Sequence, residues 1–158
     1  MRVAVRNTKM ALPYSELFDQ NSFYKAFEKD LARANQELVI ESPFITVRRL
    51  THLLPIIKKL KKRGVRITVN TKDPFEYDTV RWQGEATKAV RLLQCAGVKV
   101  LYTVGHHRKL AIIDRAILWE GSLNILSQSD SCEIMRRTQS PEAAEQMLRF
   151  TITVTFVS

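Results

Sequence analysis

Cysteine, histidine and long apolar runs are scarce in this chain. The two cysteines of its 158 residues, Cys95 and Cys132, have no metal-ligand spacing. That argues against a disulfide scaffold or a structural zinc site and leaves buried free thiols as the expectation. No stretch reaches the roughly 18 consecutive apolar residues of a membrane helix. Met1 to Tyr14 alternates charged and small residues and lacks the apolar block of a signal peptide. A cytoplasmic protein is therefore expected. At this length one domain is expected, with enough core to fold without covalent help, and it is expected either to stand alone or to be part of a longer chain.

Acidic residues are outnumbered. With 25 Lys and Arg against 16 Asp and Glu, the formal net charge is +9. Lys58, Lys59, Lys61, Lys62 and Arg63 form one run, and Arg48, Arg49, Arg81, Lys88 and Arg91 add to it. Such a balance favours polyanionic partners and says nothing of fold.

Along the chain, Arg2 to Arg6 suits an edge strand and Pro13 a break. Asn21 or Ser22 reads as the N-cap of a helix that carries Phe23, Phe27 and Leu31 on one face. Glu37 to Glu41 (ELVIE) suits a buried strand stopped by Ser42-Pro43. A second helix is expected from Val47 or Thr51 to Arg63, burying Leu50, Leu54, Ile57 and Leu60. Pro55 lies either in its first turn or at a kink. A third helix, Thr79 to Ala96, is expected to bury Trp82, Ala86, Ala89, Val90 and Leu93. Gly64-Val65-Arg66-Ile67 and Gly97-Val98-Lys99-Val100 repeat one helix-end, glycine, strand-start device. The interval is that of a strand–helix–strand unit and predicts a parallel core. Beyond it, Lys109 to Ile113 and Ala116 to Trp119 suggest a hairpin, and Ser127 to Ser131 a polar loop. Glu133 to Arg136 suits a strand. Ser140-Pro141 starts a last helix to about Arg149, and the β-branched tail Thr151 to Ser158 suits an edge strand.

The most informative stretch is His106 to Asn124, HHRKLAIIDRAILWEGSLN. His107, Lys109, Asp114, Gly121, Ser122 and Asn124 stand in it as H-x-K, four residues, D, six residues, G-S-x-N. This resembles the signature of the phospholipase D superfamily, in its single-motif, nuclease-like form. The resemblance implies an α/β fold: a phospholipase D-like α-β-α sandwich, with a mixed, mostly parallel central sheet and helices on both faces. It also implies cleavage of phosphodiesters through a covalent phosphohistidine, with no metal and no cofactor.

Side-chain alternation along a strand points His107 and Lys109 the same way and His106 away from both. An imidazole can attack phosphorus while the neighbouring ammonium holds the non-bridging oxygens. Ser122 and Asn124 arrive on the next loop as neutral donors. Gly121 suits a tight turn that brings backbone close to a ligand. A carboxylate on the far imidazole nitrogen would fix the tautomer. Asp114 falls on the wrong strand face for this, and Glu133 is better placed. The resemblance assigns His107 as nucleophile or acid, Lys109 and Asn124 as phosphate ligands and Ser122 as an accessory donor. It makes Glu133 the orienter and Asp114 a scaffold residue.

The chain carries one motif where two-motif relatives carry both halves of a site. His52 has no H-x-K spacing around it, so the resemblance implies a homodimer that completes the active site about a two-fold axis. Trp82 and Trp119 read as core rather than as base-stacking platforms, and Asp73 to Asp78 as a solvated turn rather than a metal loop. The leading expectation is a metal-independent endonuclease acting on DNA or RNA. The competing readings are phospholipase D-type phospholipid hydrolysis and a non-catalytic nucleic-acid-binding module. No amphipathic membrane-docking segment is evident, so no stable membrane association is expected.

Overall fold

The computed structural model describes residues 14–127 and 130–155. The expected strand at Arg2 to Arg6 and the break at Pro13 lie outside the described residues.

The sheet is built around β2 (Glu37–Glu41), flanked by β3 (Arg66–Thr71) and, beyond it, β4 (Lys99–Tyr102), all parallel. Two helices make the crossovers, α2 (Val47–Lys62) and α3 (Val80–Cys95). Each ends on a glycine in the left-handed region, Gly64 at φ +84° and Gly97 at φ +85°. Val65 and Val98 N–H then reach back to Leu60 and Leu93 carbonyls, both at 3.1 Å, which satisfies carbonyls the helix end leaves open. The repeated device thus does what its sequence implies.

On the other side of β2 the sheet turns antiparallel. β5 (Leu110–Ile113) pairs with β2, β6 (Ile117–Gly121) with β5, and β7 (Ile134–Gln139) with β6. An outer strand, β1 (Tyr14–Asp19), pairs antiparallel with β7. The order is β1-β7-β6-β5-β2-β3-β4. The sheet is mixed, as expected, but parallel pairing is confined to β2, β3 and β4 and antiparallel pairing predominates. The reason is local: β5 returns to β6 by a three-residue turn, Asp114 to Ala116, rather than a helix. Asp114 and Arg115 in that turn have φ 52° and 51°, the conformation that matches the twist of a hairpin.

Helices cover both faces. With α1 (Phe23–Ala32), helices α2 and α3 bury Phe23, Phe27, Leu31, Leu50, Ile57, Leu60, Ala89 and Leu93 against Leu38, Ile40, Ile67, Val69, Ala111 and Trp119. The second face is smaller: α4 (Pro141–Thr155) packs Ala144 and Leu148 on Leu110, Ile112 and Leu118. Two expectations need correction here. Thr151 to Thr155 continue α4 rather than forming a strand, because Thr151 is buried on that helix and its hydroxyl donates to the Leu148 carbonyl at 2.8 Å. Of the two places expected for Pro55 the first turn is excluded, because α2 starts at Val47 and Pro55 sits inside it with its ring exposed. Residues 156–158 lie outside the description.

Candidate active site

The chain leaves β4, turns at Val104-Gly105 and runs through residues 106–109, outside any strand, into β5, with the Lys109 carbonyl already accepting the Gly121 N–H at 3.3 Å. Side chains alternate along this lead-in. His106 is 3% exposed. Its Nε2 lies 3.3 Å from the Asn70 carbonyl and 3.9 Å from Glu41. Arg108 points to the same side, where its guanidinium grips Glu41 through Nε and, at 3.0 Å, through Nη2. His107 is exposed on the opposite side with Lys109, whose Nζ donates to the His107 carbonyl at 3.0 Å. One member of the His pair is thus structural and the other free to meet a ligand.

Lys109 also stands close enough to favour the charged form of Glu133 electrostatically, and Glu133 accepts hydrogen bonds from Ser122 and from Ser131 Oγ, the latter at 2.6 Å. Those two hydroxyls, more than the lysine, hold the carboxyl below its ordinary value. Ser122 is itself pinned, taking the Ile134 N–H at 3.0 Å. The structure therefore gathers Lys109, Ser122 and Glu133, with His107 two residues from Lys109. Among the described residues no hydrogen bond joins Glu133 to His107.

Asn124 follows Ser122 by two positions, on a segment fixed from several directions. Thr46 N–H donates to Leu126 O at 2.9 Å, Leu126 N–H to Ser42 Oγ at 3.1 Å and Arg49 Nε to Ile125 O at 3.2 Å. Its own side-chain oxygen, an acceptor, is buried with no partner among the described residues, so the amide N–H group is the part of Asn124 able to donate to a phosphate oxygen. Asp114 lies at the far end of β5 and accepts the backbone N–H groups of Asn35, Gln36 and Glu37 at 2.8–2.9 Å. It ties the α1–β2 connection to the hairpin and takes no part in the cluster above.

Four sequence expectations change at this level. Gly121 does bring two backbones together, but the neighbour is β7: an added Cβ would stand 2.1 Å from the Ile134 carbonyl oxygen. Arg49 does not belong to the basic surface. It is 2% exposed, bonded to Glu28 at 2.9 Å and lies over the Tyr24 ring, so it anchors the Asn124 segment instead. Cys95 and Cys132 are exposed rather than buried. Trp119 is core, but Trp82 is 47% exposed, since it lies in the first turn of α3, before the helix reaches the sheet.

Sequence reasoning missed the Glu41–Arg108 pair. The available signal was a glutamate closing an otherwise apolar strand. Burial pushes the Glu41 carboxyl up, with Arg108 and Asn70 opposing. Burial, reinforced by the Arg108 charge, lowers His106 to about 4, so near neutral pH that imidazole is uncharged. His52, on the exposed side of α2, is remote in sequence from the motif. One chain therefore presents one exposed imidazole beside an ammonium, a hydroxyl and an anionic carboxylate. Among the described residues no group of three His, Cys, Asp or Glu side chains is arranged to hold a metal ion.

Comparisons with known proteins agree with this fold. Residues 27–151 match the family model described as cardiolipin synthase, PLD-like domain. Among solved structures, the chain resembles Nuc from Salmonella typhimurium, a phospholipase D family member, with TM-score 0.74 and 16% identity over 90% of this chain and 94% of that one. NucT from Helicobacter pylori superposes with TM-score 0.70 and 18% identity over 89% and 94%. TrmBL2, an archaeal chromatin protein, gives TM-score 0.59 and 14% identity over 90% of this chain and 52% of that one. No curated protein sequence matches significantly.

Proposed function

This chain belongs to the phospholipase D-like domain family, and from that premise we propose that it is a metal-independent phosphodiesterase, an endonuclease whose active site is completed by a second copy of itself. The observation that carries the reading is the division of labour between adjacent histidines. His106 is buried and uncharged, whereas His107 is exposed on the side of Lys109. A single chain thus supplies half of a two-imidazole site.

In the reaction, His107 of one copy attacks phosphorus and forms a P–N bond. The scissile P–O bond breaks, and the leaving oxygen takes a proton from the imidazolium of the second copy's His107. That second imidazole then removes a proton from water, which attacks phosphorus and breaks the P–N bond. Lys109 and Asn124 of both copies hold the non-bridging oxygens, with Ser122 assisting. Glu133, kept anionic by Ser122 and Ser131, orients the imidazole once the two halves close. General acid help is worth roughly 10²–10⁴-fold, so a lone chain would turn over very slowly.

A net charge of +9 favours nucleic acid as the polyanion. NucT and Nuc share the fold, and TrmBL2, which shares it too, is a chromatin protein that binds DNA. The description of the matching family, cardiolipin synthase, favours a second reading, phospholipid headgroup chemistry by the same steps. Among the described residues no helix is long and apolar enough to cross a membrane.

The test is cleavage of DNA and RNA in excess EDTA, with His107→Ala as control and sedimentation to count copies. Cleavage that resists EDTA, is lost in the variant and belongs to a dimer supports the reading. Cleavage abolished by EDTA, or surviving the substitution, refutes it. Headgroup release from phosphatidylglycerol vesicles without nucleic-acid cleavage would favour the second reading.

A further inference from the structure

Beside the Asn124 segment lies a cavity of about 380 Å³ that the phosphodiester chemistry does not use. It lies at the low end of the ~300–1,000 Å³ typical of small-molecule clefts. Phe44, Tyr77, Trp82, Lys72, Asp78 and Ser127 are among its walls. It opens where β2 and β3 end, and one wall belongs to the motif segment: Ser127 N–H donates to the Asn124 carbonyl at 3.1 Å.

The aromatic rings here are not core. Phe44 is 39% and Trp82 47% exposed, whereas Tyr77 is the buried floor, its hydroxyl bonded to the Pro43 carbonyl at 3.2 Å. Phe44 meets Tyr77 edge-on, with centroids 5.5 Å apart. Lys72 Nζ stands 5.6 Å from the Phe44 ring and 5.8 Å from the Tyr77 ring, and the Arg81 guanidinium 5.6 Å from the Trp82 ring. The cap of α3 fixes the backbone at Trp82, whose main-chain N–H donates to Thr79 Oγ1 at 3.2 Å.

We propose that this cavity takes an unstacked base of single-stranded nucleic acid, next to the phosphate bound by the histidine motif. Exposed π-faces flanked by cations are the elements of a sequence-tolerant stacking site, in which the rings accept the base and the cations the adjoining phosphates. A quaternary ammonium headgroup also favours aromatic walls, but Lys72 Nζ stands within 6 Å of the Phe44 and Tyr77 rings, and its charge would repel a second cation while attracting a phosphate. Asp78, exposed at the rim, is free to accept an exocyclic amino group. A base inside a duplex cannot enter, so the cavity selects single strands or unpaired ends. The proposal rests on the nuclease reading for its register with the scissile bond, but base binding is measurable without turnover.

Because Trp119 is fully buried, Trp82 is the indole that ligands can reach. Full-length His107→Ala protein is titrated with a single-stranded oligothymidylate, its paired duplex and the same strand carrying abasic sites, with indole emission followed. Stacking predicts saturable quenching by the intact single strand only. Trp82→Phe should keep the affinity measured by anisotropy of a labelled strand and lose the quench. Trp82→Ala should weaken binding about ten-fold. Three results would overturn the proposal: no binding or binding without quenching, equal quenching by the abasic strand or duplex, or quenching by phosphocholine in place of the oligonucleotide. Wild-type cleavage of the same strand in EDTA is scored separately. Quenching without cleavage refutes the nuclease reading and keeps the base site, and cleavage without quenching does the reverse.

Discussion

Removing Arg108 should destabilise the protein more than removing the residue it binds. Glu41 is 1% exposed, whereas the Arg108 side chain is 31% exposed. Arg108→Ala therefore strands a carboxylate away from water, with one hydrogen bond left, from Asn70 Nδ2 at 3.3 Å, and the His106 imidazole 3.9 Å away. Breaking a buried pair from the side that leaves the charge inside costs about 3–5 kcal/mol. Glu41→Ala leaves a guanidinium that can swing into solvent, so only its hydrogen bonds and some packing are lost, about 1–2 kcal/mol. Replacing both residues by leucine should fall within roughly 1 kcal/mol of wild type. Urea unfolding followed by circular dichroism, at one protein concentration, measures all three. pH supplies a second signature. Burial already raises the Glu41 carboxyl, and without Arg108 it rises further. A raised folded-state value contributes stability at low pH that is lost as pH rises, so the Arg108→Ala deficit should shrink on acidification. If Glu41→Ala proves the costlier change, or Arg108→Ala costs under about 1 kcal/mol, the pair is not arranged as described.

Other expectations follow from single contacts. Gly121→Ala should cost about 3 kcal/mol or more, because its Cβ would stand 2.1 Å from the Ile134 oxygen and force β6 from β7; a melting temperature within error of wild type would contradict that. Asp114→Ala removes the acceptor of three backbone N–H groups and should cost roughly 2 kcal/mol. If Asp114 is purely scaffold, turnover per folded molecule stays unchanged, and a specific fall in kcat would refute that role. His106 falls from 6.5 to about 4 on folding. As pH drops through that window the unfolded chain takes up the proton first, so wild type should lose up to about 3 kcal/mol that His106→Gln does not. Parallel pH profiles for the two proteins would exclude it.

Much of this architecture is legible in local pattern. ELVIE coincides with β2 because a buried parallel strand is a short apolar run between breakers. The two helix-end glycines are legible because few other residues adopt that conformation without strain. The opposite directions of His106 and His107 follow from strand alternation even though the lead-in lies outside any strand. Other features depend on tertiary contacts with no periodic trace. β1 owes its place to pairing with β7 across the whole chain. Arg49 reads as surface charge until Glu28, Tyr24 and the Ile125 carbonyl are seen around it. Trp82 matches the buried face of α3 by spacing, but the first turn of that helix projects beyond the sheet. Thr151 to Thr155 have strand propensity, which is overridden by continuation of α4, a helix that packs on β5 and β6 through Ala144 and Leu148.

The central claim is that one exposed imidazole of each subunit pair, that of His107, forms a covalent bond to phosphorus, with no metal involved. Chemical quenching of turnover on a phosphate-labelled oligonucleotide, in excess EDTA, tests it most directly. The expected result is an acid-labile, alkali-stable label at His107, on no more than one chain of each pair, and none on His107→Ala. Undiminished cleavage with no label on the protein, or a label that stays when His107 is replaced, would contradict it.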